Sequence, residues 1–137
     1  MIKVIVVDDE RFVRMGIVGE TDWASLGCEV VGEAENGLDA LELVHKKNPD
    51  LMICDIRMPK MNGLEMLKKL REEKNPVQVI FLTAYSEFSY AREALKLYAF
   101  DYLLKPFADG ELESAILRAK ERIETDRGKQ RDTGLSR

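Results

Sequence analysis

The apolar run Leu51-Met52-Ile53-Cys54 breaks off at Asp55, and Pro59 and Gly63 follow within a few residues. A strand with one wet face alternates apolar and polar residues. One that is apolar throughout must be covered on both faces, as happens inside a parallel sheet flanked by helices. The same argument locates Asp55, because the carboxyl ends of such strands form the edge at which open α/β sheets hold their ligands.

Four further segments read as strands: Ile2–Val7, an apolar run broken only by Lys3, then 28–32, 77–82 and Asp101–Leu104. Helical spacing fills the gaps between them. Phe12, Val13, Gly16 and Ile17 form the expected inward face of a first helix, and Trp23 pins the connection over 19–27. Asn36-Gly37 opens a helix carrying Ala40, Leu41 and Val44. Asn62 with Glu65 has the form of a capping box ahead of Leu64, Leu67 and Leu70. Ser86 is the expected cap of a helix running to about Tyr98, with Phe88, Ala91, Leu95 and Tyr98 on one stripe. Asp109 is the expected cap of the last helix, whose apolar face is Leu112, Ile116, Ala119 and Ile123.

Five strands alternating with five helices predict an α/β fold, a doubly wound five-stranded parallel sheet with helices on both faces. In the flavodoxin-like order 2-1-3-4-5 the first and third strands are neighbours at the switch point. Residues 1–124 are expected to form this domain, and 125–137, polar with two glycines, to be a linker or tail.

A formal net charge of -4 gives no electrostatic footprint for nucleic acid, so any DNA contact must come from elsewhere. No apolar run approaches the ~20 residues of a membrane span. The amino terminus lacks a signal peptide's cleavage site, and the expected location is the cytoplasm. Cys28 begins one strand and Cys54 ends another with a third between them, which places them badly for a disulfide; zinc-ligand spacing is also missing. His45 belongs to a solvated helix end.

What the sheet gathers on its carboxyl edge is chemically specific: Asp8 and Asp9 after the first strand, Asp55 after the third, Thr83 at the fourth, Lys105 at the fifth. Carboxylates at ~5 Å repel by about 3 kcal/mol per pair at an effective dielectric near 20. They call for a cation. An all-oxygen cluster without histidine or thiolate ligands suits Mg²⁺, which keeps several waters and takes one or two carboxylates plus phosphate oxygens. Lys105 and Thr83 can hold phosphoryl oxygens while an aspartate makes the bond, giving an acyl phosphate.

These residues sit in motifs that resemble the receiver domain of two-component response regulators: Val-Val-Asp-Asp at 6–9, Asp55 with Ile-Arg-Met-Pro at 56–59 and Gly63, Leu-Thr-Ala at 82–84, and Asp-Tyr-Leu-Leu-Lys-Pro-Phe at 101–107. The resemblance covers about 2–124. It implies Asp55 as phosphoacceptor and a Mg²⁺ site made by Asp9, Asp55 and the backbone carbonyl of Arg57, with Asp8 acting largely through metal-bound water. It implies Thr83 and Lys105 as phosphoryl-binding groups, a cis Lys105–Pro106 peptide, and Tyr102, with Thr83, as the conformational switch. Such a domain is a signalling phosphoacceptor that assists its own phosphorylation and dephosphorylation, not an enzyme with a separate substrate.

The stretches Asp22-Trp23, Leu26-Gly27, 30–37 and 83–91 narrow the resemblance to receivers joined to AraC-type helix-turn-helix domains. That implies a sensor histidine kinase as partner, homodimerisation on activation, and DNA bound through a C-terminal output domain outside this chain. The alternative is a stand-alone phosphorelay or scaffold receiver. One departure stands out: Tyr98-Ala99, where many receivers have Gly-Ala, puts the local backbone in question. A haloacid-dehalogenase-type phosphatase would need an acid at position 57, which is Arg57, and a nucleotide module would need glycines where Asp8-Asp9-Glu10 stands.

Overall fold

The computed structural model describes residues 1–84 and 88–135, with side chains at 1–84 and 89–128. Its elements are β1 (Ile2–Val7), α1 (Arg11–Glu20), β2 (Cys28–Ala34), α2 (Gly37–Lys47), β3 (Leu51–Cys54), α3 (Gly63–Glu72), β4 (Gln78–Thr83), α4 (Phe88–Lys96), β5 (Asp101–Leu104) and α5 (Glu111–Leu135). The strands form one parallel sheet in the order β2-β1-β3-β4-β5, the predicted topology.

The unbroken apolarity of the central strands has a direct cause. Successive side chains point to opposite faces, and both faces are core. Val4, Val6, Leu51, Ile53, Ile80 and Leu82 pack with Ile17, Trp23, Leu112, Ile116 and Ala119 on the α1/α5 side. Ile5, Val7, Met52, Cys54, Val79 and Phe81 pack with Ala40, Val44, Leu67, Leu70 and Ala94 on the other. Each fully buried aliphatic side chain contributes about 1.5–3 kcal/mol, so both cores demand apolar residues at every position of β3. Cys28 and Cys54 are both free and buried, separated by β1 as their strand positions require.

Local signals place the helices. The Asn36 side chain accepts from the Asp39 amide at 2.8 Å, and Asn48 closes α2 in the left-handed conformation at φ 49°. Asn62 and Glu65 complete the capping box of α3, with amide-to-oxygen distances of 2.8 and 3.1 Å. Trp23 is buried and its indole donates to the Val18 carbonyl at 3.1 Å, the pinning role its position suggests.

Four expectations are corrected. Phe12 is 86% exposed, because it lies five positions from Ile17, about 140° round the helix. On α4 the packed residues are Tyr90, Ala94 and Leu97, while Leu95 and Tyr98 are 73% and 79% exposed. Two adjacent stripes both satisfied helical spacing there, and the true one is a residue away from the predicted one. Ser86 and the Phe88 side chain lie outside the described residues. At the start of α5, Glu111 follows Gly110, which has φ 83°, and the Glu111 carboxylate accepts from the Ala108 amide at 2.9 Å, so Asp109 is not the capping side chain. Finally, α5 continues as helix to Leu135 where a linker or frayed tail is predicted over 125–137. Among the described side chains its last buried apolar residue is Ile123, but the following Glu, Asp, Arg, Lys and Gln include good helix formers, and Arg127 pairs with Asp50.

The Tyr98-Ala99 departure has a structural counterpart. Tyr98 adopts φ 59°, the left-handed region that favours glycine. Arg71 fastens this corner: its guanidinium donates to the carbonyls of Leu97 at 2.8 Å, Tyr98 at 3.1 Å and Asn75 at 2.8 Å.

Candidate functional site

Asp8 follows β1, Asp55 follows β3, Thr83 ends β4 and Lys105 follows β5, so a parallel sheet delivers all four to one edge. Asp8, Asp55 and Thr83 are buried, while Asp9 is exposed at the rim. Carboxylate oxygens of Asp8, Asp9 and Asp55 all lie within 4.8 Å of one another. The Lys105 ammonium stands between two of them, 2.8 Å from Asp8 Oδ2 and 3.2 Å from Asp55 Oδ2. The Lys105–Pro106 peptide is cis, as predicted.

The backbone holds the remaining oxygens. Asp55 Oδ1 accepts from the Ile56 amide at 2.6 Å, and Asp8 Oδ1 from the Glu10 amide at 2.9 Å. Each buried carboxylate therefore spends one oxygen on its own turn and points the other at Lys105. Gly63 is indispensable here, since a Cβ at that position would sit 2.5 Å from the Asp55 carbonyl oxygen and 2.9 Å from the Phe81 ring.

Burial pushes the Asp55 carboxyl above its usual range; Lys105 opposes the shift and the Asp8 carboxylate adds to it. The lysine responds the other way. Burial disfavours its ammonium, but the Asp8 hydrogen bond and the two carboxylate charges outweigh that and raise its pKa, so Lys105 is charged. Beneath Asp55, burial holds the Cys54 thiol well above its usual range, which makes it a packing group and not a nucleophile at neutral pH.

One ammonium faces three carboxylates, and this donor set is hard, all oxygen and open on the Asp9 side. It fits Mg²⁺ in ligand chemistry. Arg57 is exposed immediately beyond the third strand's acid, and Thr83 is fully buried at the end of β4. Tyr102 is half-buried on β5 opposite Phe81, and Thr83 lies opposite Leu104, so Thr83 and Tyr102 are diagonal neighbours on one face of the sheet. Every candidate site residue thus lies at this edge or on the strand beside it.

Sequence reasoning passed over Arg14. Its guanidinium donates to the Asp8 carbonyl at 2.6 Å and pairs with Glu33 at 3.1 Å. The available signal was a basic residue one turn into a helix that follows an acidic turn, with an acid near the end of the neighbouring strand. A cavity of about 460 Å³ on the opposite edge of the sheet, lined by Asp50, Asn75, Gln78 and Arg127, contains none of these residues.

Among the described residues, no helix is long and apolar enough to cross a membrane. The family description of the response regulator receiver domain matches residues 4–117. The chain is similar to the receiver (REC) domain of AraT, a response regulator from Geobacillus stearothermophilus, at 42% identity and a TM-score of 0.83, covering 91% of this chain and 97% of that one. A two-component transcriptional regulator AraC from Clostridium phytofermentans is similar at 26% identity and a TM-score of 0.80, covering 94% and 99%. Among curated proteins, the uncharacterized transcriptional regulatory protein YesN of Bacillus subtilis is 40% identical over 116 residues, 85% of this chain but 32% of YesN. The transcriptional regulatory protein BtsR of Escherichia coli is 41% identical over 121 residues, 88% of this chain and 49% of BtsR. This chain accordingly spans a third to a half of the length of those two relatives. With fold, edge chemistry and similarity in agreement, the chain belongs to the response regulator receiver domains of two-component systems.

Proposed function

We propose that Asp55 accepts a phosphoryl group from a sensor histidine kinase in a Mg²⁺-dependent reaction. The observation that carries this reading is the placement of the Asp55 carboxylate within 4.8 Å of Asp8 and Asp9 and 3.2 Å from the Lys105 ammonium. An Asp55 oxygen forms the bond to phosphorus as the phosphorus–nitrogen bond to the donor imidazole breaks and the nitrogen keeps the electron pair. Lys105 moves from Asp55 to a phosphoryl oxygen, and the Thr83 hydroxyl donates to another. Asp9, Asp55 and the Arg57 carbonyl would hold Mg²⁺, with Asp8 acting largely through metal-bound water, and the ion would supply further neutralisation of phosphoryl charge. The same groups serve water in the return reaction, so the domain assists its own dephosphorylation.

The output reading rests on the relatives. Several are named as transcriptional regulators and the curated ones are longer than this chain, so a DNA-binding domain beyond residue 137 is the proposed effector, with homodimerisation accompanying activation in the cytoplasm. Thr83 and Tyr102 are the proposed switch. A stand-alone phosphorelay receiver is the second reading, separated by the full reading frame of the gene. The chemical test is direct: incubation with acetyl phosphate and Mg²⁺, read by intact mass, should give one phosphoryl adduct that Asp55→Asn abolishes. Equal labelling of the variant would overturn the assignment.

A further inference from the structure

The turn that carries the acidic pair is held from outside the pair itself. Asp8 enters it with its amide donating to the Ala34 carbonyl at 3.0 Å, and its Oδ1 accepts from the Glu10 amide at 2.9 Å. The helix that follows brings no cap of its own: Glu10, at the N-cap of α1, makes no side-chain capping hydrogen bond, and the first turn of α1 has no acid. What reaches back instead is Arg14, whose amide bonds the Glu10 carbonyl at 3.0 Å and whose guanidinium donates to the Asp8 carbonyl at 2.6 Å. The Arg14 side chain is 15% exposed and its Nε is anchored by Glu33 of β2 at 3.1 Å. Arg14 thus ties the Asp8-Asp9-Glu10 turn to both α1 and β2, with Asp9 at the apex between its two bonded neighbours.

We propose that Arg14 is a positioning residue for the Mg²⁺ site: by bonding the Asp8 carbonyl it fixes the turn so that the Asp9 carboxylate stays within reach of Asp8 and Asp55. This rests on the metal-binding part of the reading above. The geometry gives the proposal a distinctive sign. A guanidinium beside an acidic site repels a dication, so if Arg14 acted through charge alone its removal would tighten Mg²⁺ binding. If it acts by fixing the turn, removal loosens binding, by about tenfold on the scale of outer groups that orient metal ligands.

The test is calorimetric titration of MgCl₂ into the whole chain, for the parent, Arg14→Met and Arg14→Lys, with folding checked by circular dichroism. Arg14→Met keeps most of the side-chain length without the hydrogen bonds; Arg14→Lys keeps the charge but cannot make both contacts. Weaker Mg²⁺ binding in both variants is the expected result, with the Mg²⁺ concentration for half-maximal acetyl-phosphate labelling rising in step and the rate at saturating Mg²⁺ little changed. Unchanged or tighter binding in Arg14→Met would overturn the proposal, as would a parent-like affinity in Arg14→Lys if the methionine variant fails to fold. A parent that binds no Mg²⁺ would instead remove the metal site on which the proposal rests.

Discussion

Replacing Lys105 by methionine keeps most of the side chain's volume and removes the ammonium that stands 2.8 Å from Asp8 and 3.2 Å from Asp55. Both carboxylates are buried, and their oxygens lie within 4.8 Å of each other. At that separation and an effective dielectric near 20 they repel by about 3.5 kcal/mol, in keeping with the 3–5 kcal/mol typical of leaving a buried charge unpaired. Lys105→Met should therefore lose about 3–4 kcal/mol at neutral pH in EDTA, a fall in Tm of roughly 10 °C for a domain of this size. The loss should depend on pH in a definite direction. Burial and Asp8 already hold the Asp55 pKa above its unfolded value, and removing Lys105 raises it further. A carboxyl whose folded pKa exceeds its unfolded one binds more protons when folded, so stability falls as pH climbs through that window. The variant's deficit should shrink as the pH is lowered and the Asp55 carboxyl takes up a proton, and it should shrink in MgCl₂, which supplies the missing cation. Thermal melts by circular dichroism at two pH values, with and without Mg²⁺, read all of this. A deficit below about 2 °C, or one equally large at acid pH and with Mg²⁺, would show that the Lys105 ammonium does not hold the two carboxylates together.

Three other variants probe separate parts of the structure. Asp55→Asn should melt no lower than the parent at neutral pH and gain relative to it as pH rises from the ordinary aspartate range to neutrality, because the raised Asp55 pKa already includes the attraction of Lys105; a variant that loses ground over that range would contradict the sign. Tyr98→Gly should stabilise by about 0.5–1 kcal/mol, the left-handed strain relieved less the added freedom of the unfolded chain, and since Tyr98 is 79% exposed little packing is lost; a lower Tm would show that the ring contributes contacts. For the switch, amide spectra with beryllofluoride and Mg²⁺ should show changes across α4 and β5 in the parent that are largely lost in Thr83→Ala, whose missing hydroxyl removes a charge-assisted hydrogen bond of about 1.5–3 kcal/mol; identical changes in both proteins would disconnect Thr83 from Tyr102.

The sheet was legible because its signal is doubly determined: residues such as Leu51, Met52, Ile53 and Cys54 each answer to one of two cores, and nothing polar survives there. The site was legible for the converse reason, since polar residues that end such strands stand out and the topology brings their ends together. Helix faces were less secure. A short helix offers neighbouring stripes of comparable apolarity, and only packing chose Ala94 and Leu97 over Leu95 and Tyr98, or left Phe12 in solvent. The extent of α5 was hidden by its polarity, which marks a solvated helix as readily as a tail. Arg14 was hidden because its partner is a backbone carbonyl, which has no sequence signature, and Arg71 is the same case on the other side of the fold.

The phosphoryl group is assigned to one carboxylate, Asp55. The most direct measurement is intact mass followed by peptide mapping after incubation with acetyl phosphate, with Mg²⁺ and with EDTA, for the parent and Asp55→Asn. One adduct is expected, on the peptide holding Asp55, present with Mg²⁺, strongly reduced in EDTA and missing from the variant. An adduct mapped to Asp8 or Asp9, or one formed equally fast by Asp55→Asn, would contradict it.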